Sequence, residues 1–330
     1  VSYEVVLDNK HYLRELIESI SLKDSLEQIA YEATIQLKVP TEGIQIMPGK
    51  PIRVSGVPYD GSNMVYLLHP GVVWDLSSNT KGSKHITIVA YDPTIYLTKS
   101  EDEYFFKAGS TASQRLKKYA TDWKIKLGNI PAIETKLSKA THRAQPIYNM
   151  ITQDLQETVK AGGEMYIPRM TPAGLELFKI GSNKTVWKLE AVEDVTQVRT
   201  LEGAITRVKV IGNGSENGKS GVDSPSPVLA IASSPEIPKL GTLQKIVQNE
   251  ETKTTAAAKK LAQSMLTGVI ETFTVRALDI NTLRAGDLVH FNGLKLIVTS
   301  ITHELGDPGH MSLELASKDF VKRRYFLNHG

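Results

Sequence analysis

The stretch HELGDPGHMSLEL, residues 303–315, admits two readings that lead to different proteins. His303 and Glu304 begin like the His-Glu-x-x-His of a zinc hydrolase, in which positions i and i+4 put two imidazoles on one helical face beside a metal-bound water. Here the second histidine, His310, comes seven places on, and Gly306-Asp307-Pro308-Gly309 interrupts the segment with residues that end helices and make turns. The flanks VTSITHEL and HMSLEL alternate apolar and polar side chains as paired strands do. The spacing predicts a β-hairpin and no metal-binding residues.

Working outward, the hairpin has a counterpart near the other end of the chain. Pro48-Gly49-Lys50-Pro51-Ile52-Arg53-Val54-Ser55-Gly56 matches Ala285-Gly286-Asp287-Leu288-Val289-His290-Phe291-Asn292-Gly293, with glycines and apolar positions in register. Val72-Val73-Trp74-Asp75-Leu76 then matches Ile301-Thr302-His303-Glu304-Leu305, and His85-Ile86-Thr87-Ile88 matches His310-Met311-Ser312-Leu313. On this match His303 stands where the other copy has Trp74, and an indole is no substitute for a zinc ligand. Each copy reads as a Gly-led strand, a Gly turn, a long strand, a polar turn and a final strand, with a longer turn in the first copy. Short antiparallel strands of this kind close into small barrels or sandwiches. Val54 and Phe291 fall at equivalent positions and are expected in the two cores, where truncation costs roughly 2 to 5 kcal/mol.

The chain has 330 residues, enough for two or three domains, and its 41% hydrophobic and 23% charged residues are those of an ordinary soluble protein. Its 39 basic and 36 acidic side chains leave a net charge of +3, too even a balance for a nucleic-acid binder. Cysteine is absent, which excludes disulfides, thiolate zinc sites and a cysteine nucleophile, and fits folding in a cytoplasm. VSYEVVLDNKHYL lacks the apolar core of a signal peptide, and nowhere do 18 apolar residues run together, so neither export by that route nor membrane insertion is expected.

The fold class expected is α+β and multidomain: two similar small β-barrel domains with a mixed α/β unit between them. Residues 1–104 form the first, 105–190 an inserted unit of two helices and a hairpin, and 191–330 the second, with a loop at 212–227 that is flexible by composition and a helix at 252–266. In the inserted unit Leu116, Tyr119, Ala120 and Trp123 share one helical face; Ile147, Met150, Ile151, Leu155 and Val159 share another. Thr111 or Ser113 is placed to cap the first helix, Gly162-Gly163 stops the second, and EMYIPRMTPAGLELFKI reads as a hairpin.

Catalytic signatures are missing. Gly218-Lys219-Ser220 would end a phosphate-binding P-loop only with glycine at position 213, which is Asn, and with a helix where Pro225 and Pro227 stand. No Gly-x-Ser-x-Gly elbow occurs, and the acidic residues show no spacing that singles out a pair. No residue is therefore expected to act in catalysis, cofactor binding or metal binding, and no cofactor is expected. Lys322-Arg323-Arg324 reads as a solvated basic tail.

The two copies, and above all IMPGKPIRVSG with HITIVAYDP and LRAGDLVHFNGLKLIVTSITHE with MSLELAS, resemble the XkdQ/YqbQ family of phage tail hub proteins from PBSX- and skin-type defective prophages of Bacillus, relatives of late-control D proteins and of contractile-tail baseplate hubs. The resemblance covers nearly the whole chain. It implies a structural, non-enzymatic virion protein, assembled in the host cytoplasm, that forms a homotrimer at the end of the tail tube. Its partners would be the tube protein, a spike and other baseplate proteins, with no specific nucleic acid. Because the second module is followed by only about a dozen residues, no fused C-terminal lysozyme is expected. Duplication suits such a role, since a trimer meets a sixfold tube evenly only if each chain offers two near-equivalent surfaces. The alternatives are a tail-associated cell-wall hydrolase and a peptidoglycan-binding module in the middle unit.

Overall fold

The computed structural model describes residues 3–38, 44–79, 85–212, 226–248 and 254–327. Strands β1 (Tyr3–Leu7), β2 (His11–Tyr12), β3 (Ile17–Ser25), β4 (Glu32–Lys38), β5 (Pro51–Gly56), β6 (Val65–Asn79) and β7 (His85–Tyr91) come first. A mixed stretch follows: α1 (Ile95–Lys99), β8 (Glu101–Phe106), α2 (Ala112–Asp122), β9 (Ala140–Pro146), α3 (Ile147–Lys160), β10 (Tyr166–Thr171) and β11 (Gly174–Lys179). Next are β12 (Trp187–Leu189), β13 (Val192–Thr200), β14 (Arg207–Ile211), β15 (Val228–Ser233), α4 (Ile237–Leu240), β16 (Gln244–Gln248) and α5 (Thr255–Met265). The chain then runs through β17 (Ile270–Leu278), β18 (Leu288–Phe291), β19 (Leu294–Leu305), β20 (His310–Ala316), α6 (Lys318–Val321) and a π-helical turn, Lys322–Leu327.

Residues 303–315 are a β-hairpin. His303 pairs with Met311 and Glu304 with His310, and the alternation read from the sequence sets the faces, with His303, Met311 and Leu313 buried. The helical faces also behave as their periodicity predicts: Leu116, Tyr119, Ile147, Met150, Ile151, Leu155 and Val159 lie in one core. Thr111 caps α2 through a reciprocal bond pair with Gln114, and Gly162 follows α3 at φ +92°. The hairpin of β10 and β11 and the helix α5 occur where expected. The loop at 212–227 falls mostly on residues outside those described.

Mostly β, the chain holds several sheets, the largest with thirteen strands. Its main path runs β13-β17-β20-β19-β3-β4-β7-β6-β5-β1-β2, with β18 beside β19 and β12 beside β18. Two separate closed barrels are not what the hydrogen bonds make. The sheet is open along this path, and one seam, β3 against β19, joins the two copies into a single sheet. The apolar residues nevertheless sort into a core for each copy, with Val54 (0% exposed) in the first and Phe291 (2%) in the second.

The repeat is more extensive than the sequence match and differs from it at one point. The first copy orders its strands β3-β4-β7-β6-β5-β1, and the second β13-β17-β20-β19-β18-β12. Each strand has its counterpart in the same chain order. Gly49 N–H donates to Val73 O and Val73 N–H to Lys50 O; Gly286 N–H donates to Val298 O and Val298 N–H to Asp287 O. Both glycines have positive φ, +88° and +91°. The long strand carries a register shift between Val73 and Asp75 in one copy and between Val298 and Ser300 in the other. One constant displacement therefore carries Val72 onto Ile297, Leu76 onto Ile301 and His85 onto His310. Within the long strand the sequence match had slipped by four residues: Trp74 corresponds to Thr299, and His303 to Ser78. The longer turn of the first copy precedes β6, whereas the links that follow the long strands are nearly equal, residues 80–84 between β6 and β7 and 306–309 between β19 and β20.

Contacts divide the chain into two units, Val1–Thr196 with Phe273–Gly330, and Gln197–Thr272. In the second, β14 lies between β15 and β16, and Val208, Val210, Ala258, Ala262 and Met265 form its core. In sequence this unit occupies the link between β13 and β17, whose counterpart in the first copy is the short link between β3 and β4. Among the described residues no helix is long and apolar enough to cross a membrane.

Candidate functional site

The seam between the copies is built by β3, whose alternation sends Ile20, Leu22 and Asp24 inward. Ser25 pairs with Ser300, Asp24 with Ile301, Lys23 with Thr302 and Leu22 with His303, antiparallel. A carboxylate buried on such a strand needs a cation, and Arg284, from the loop before β18, supplies it through an Nε contact to Asp24 Oδ2. Ala285 N–H donates to the same oxygen at 3.2 Å, and the guanidinium stacks 3.8 Å from the centre of the Tyr31 ring. Arg169, from β10, donates to Ala285 O at 2.6 Å and to Asp287 Oδ1 at 3.0 Å, and Asn281 donates to Val57 O at 2.8 Å. Loop 279–287 is thus tied to three parts of the chain at once.

His303 belongs to this loop's anchorage. Its Nδ1 lies 2.6 Å from Asp279 Oδ1 and its Nε2 lies 3.0 Å from Leu283 O, with the imidazole fully buried. A carbonyl only accepts, so Nε2 carries a proton, and the contact to Asp279 takes up the other nitrogen. Neither nitrogen is left to bind a metal or serve as a general base. Among the described residues no group of three or more His, Asp or Glu is arranged to hold a metal ion. His310 instead pairs on the surface with Glu193 at 2.7 Å.

That surface pair fixes one more equivalence. In the first copy His85 Nδ1 meets Glu18 at 2.7 Å, and in the second His310 Nδ1 meets Glu193 at 2.7 Å. Since His85 corresponds to His310, Glu18 corresponds to Glu193, and β3 and β13, nine residues each, superimpose end to end as IESISLKDS on VEDVTQVRT. Their environments differ. Ile20 is 4% exposed and its counterpart Val195 37%; Val198 is 46% exposed. β13 ends the sheet with one edge unpaired, and the edge of β6 from Asp75 to Ser78, beyond the reach of β5, is likewise without a strand partner among the described residues. Sequence reading misses β13 because a mostly exposed strand has no in-out alternation, and it misses the bare edge of β6 because strand pairing is not local.

Other polar clusters are satisfied by packing. Asp154 on α3 receives Arg115 at 2.6 Å and the Tyr119 hydroxyl at 3.0 Å, which clamps α2 to α3; burial, with Asp154 next in effect, pushes the Tyr119 phenol well above its usual range. A cavity of about 670 Å³ opens between α3, β10 and the π-helical turn, lined by Tyr148, Gln156, Tyr166, Arg324 and Phe326. Lys322-Arg323-Arg324 is therefore no free tail: Arg324 pairs with Glu27 at 3.0 Å, and Phe326 and Leu327 are buried. Gly218-Lys219-Ser220 lies outside the described residues.

The whole chain is similar in fold to known tail proteins. The 43 kDa tail protein of prophage MuSo2 from Shewanella oneidensis matches with a TM-score of 0.71 at 13% identity, over 96% of this chain and 98% of that one. A tail protein from Neisseria meningitidis matches at 0.68 and 16% identity, over 98% of each chain. The E. coli c3393 protein, a type VI secretion component described as similar in structure to the phage T4 tail proteins gp27 and gp5, matches at 0.54 and 9% identity, over 92% of this chain and 74% of its own. No curated protein matches the chain in sequence. The model of the YQBQ-like family, by contrast, matches residues 20–316, and the chain belongs to that family.

Proposed function

We propose that the protein is a structural tail hub of a phage or phage-like particle, a homotrimer that joins a sixfold tail tube to a threefold spike within the baseplate of a contractile tail. The observation that carries this reading is the duplication: six strands recur in one order, with the same glycine hydrogen bonds and the same bulge. Three such chains offer six near-equivalent modules to the tube and three equal surfaces to the spike. In this reading residues 1–104 and 191–330 each contribute a barrel-like module and 105–190 is an insert, the chain assembling in the host cytoplasm and residing in the tail. The role is non-enzymatic, which the engagement of both nitrogens of His303 supports, and no nucleic acid is recognised. Family membership and the type VI neighbour point the same way.

The test is stoichiometry in the particle. Electron microscopy of the labelled tail end should show three copies; six would overturn the reading. Release of fragments from purified cell walls by the isolated protein would replace it with the hydrolase alternative.

A further inference from the structure

Inside the chain, β3 of the first copy bonds along its outer edge to β19 of the second. The displacement that carries the first copy onto the second turns β3 into β13, and it turns β19 into the long strand of whatever module comes next. Among the described residues there is no third module to supply it. The remaining long strand is β6, and its edge from Asp75 to Ser78 has no strand partner among the described residues at the place where Ser300 to His303 receive β3.

We infer that β13 of one chain pairs antiparallel with β6 of a second copy, repeating between chains the seam that β3 and β19 make within one. The proposal rests on the hub reading and names the strands through which the copies meet. Transferring the register of the internal seam sets Thr200 against Asp75, Arg199 against Leu76, Val198 against Ser77 and Gln197 against Ser78.

Three observations carry it. The counterparts of the Glu18–His85 pair fix which residue of β13 replaces which residue of β3, so the register is not adjustable. Chemically, β13 is a long edge of nine residues without proline, glycine or lysine, with exposed Val195 and Val198 beside the charged Glu193, Asp194 and Arg199. Natural proteins rarely leave such an edge uncovered, since it templates pairing with another chain. Finally, the two bare edges are different surfaces, so the contact is head-to-tail; it propagates from copy to copy and is satisfied everywhere only when the ring closes.

The chain's lack of cysteine makes the test direct. A Val198→Cys, Ser77→Cys double variant, assembled into tails and treated with an oxidant or a short bis-maleimide, should migrate without reductant at two and three chain masses. Each single variant should stay at one. A Lys23→Cys, Thr302→Cys variant, whose cysteines face each other across the internal seam, should bridge without gaining mass. For wild-type protein, hydrogen exchange at Asp75–Ser78 and Gln197–Thr200 should be slower by more than about tenfold in the tail than in the isolated chain. That measurement decides the matter if the double variant fails to assemble. Three copies per tail with neither cross-link nor protection would overturn the strand pairing and leave the hub reading standing. Protection without cross-linking means another protein covers these edges, and also overturns it. A copy number other than three removes both.

Discussion

The two copies share strand order, bulge and glycine turns, yet almost every residue that makes the first copy part of a continuous sheet has been exchanged in the second. Asp24 of β3 is buried against Arg284; its counterpart Arg199 is exposed and meets Glu271 at 2.7 Å. His303 is sealed beneath Asp279, while its counterpart Ser78 is exposed. Strand β1 runs antiparallel to β5, with β2 on its other side, whereas β12 runs parallel to β18. Apart from that first strand, backbone geometry is what the duplication has kept. The side chains record which edges of each copy are covered within the chain.

The largest expected break in this likeness is in the cores. Phe291 packs edge-on against Phe273 with ring centres 5.5 Å apart, so Phe291→Ala should cost about 4 kcal/mol. At the equivalent position, Val54→Ala should cost about 2 kcal/mol, fewer methyl groups being withdrawn. Chemical denaturation of both variants measures the difference, and equal losses would show that the positions are not equivalently packed. Next, Asp24→Ala leaves Arg284 buried without its carboxylate and should cost about 3 kcal/mol, whereas Arg199→Ala should lie within about 0.5 kcal/mol of wild type. Near-equal effects would mean that the internal seam contributes nothing special.

A smaller difference depends on pH. Asp92 and Ser317 stand at equivalent positions before the short helices α1 and α6, Asp92 accepting from Thr94 N–H at 2.8 Å and Ser317 from Phe320 N–H at 3.1 Å. Burial pushes Asp92 up to about 6 from its ordinary 3.8, against the lowering pull of its bonds from Thr94 and Tyr31. A carboxyl whose pKa is raised by folding holds its proton more tightly in the native state. Its contribution is therefore full below about pH 4 and is lost as pH rises through about 6. Stability should fall by roughly 2 to 3 kcal/mol across that window, and Asp92→Ser, which installs the residue of the second copy, should flatten the fall. An unchanged slope in pH-dependent denaturation would assign the titration to other groups.

The smallest contrast concerns the paired glycines. A Cβ at Gly49 would meet nothing within 4 Å, but at Gly286 it would lie 2.7 Å from Ile167 Cδ1. Gly49→Ala should cost about 1 kcal/mol from backbone strain alone, and Gly286→Ala about 2 kcal/mol, the difference being readable as a shift in melting temperature.

How much of this was legible follows from period and exposure. The hairpin at 303–315 and the buried positions Val54 and Phe291 were readable because alternation, Gly-Pro chemistry and residue size agree there. The register of the long strand was not. A strand's faces repeat every two residues, so a slip of four leaves the in-out pattern intact, and Val72 and Leu76 are matched as well by Ile301 and Leu305 as by Ile297 and Ile301. Only the bulge and the hydrogen bonds of Gly49 and Gly286 fix it. The seam was hidden for another reason: Asp24 and Arg284 lie far apart in sequence, and nothing local marks either as a partner. The mostly exposed strand β13 spaces its valines, Val192, Val195 and Val198, three apart and so shows no period of two.

The internal seam also changes the mass action of assembly. If three chains close into the proposed ring through β13 and β6, half of its joints are of the β3–β19 kind and form when each chain folds, at the effective concentration of an intramolecular contact. Only the remaining joints depend on how much protein a cell holds. Closure then varies with a lower power of concentration than a ring built from unlinked single modules would require, and incomplete rings always contain modules in pairs. On the proposed hub reading, such a ring can be completed at levels where six separate pieces would remain dispersed.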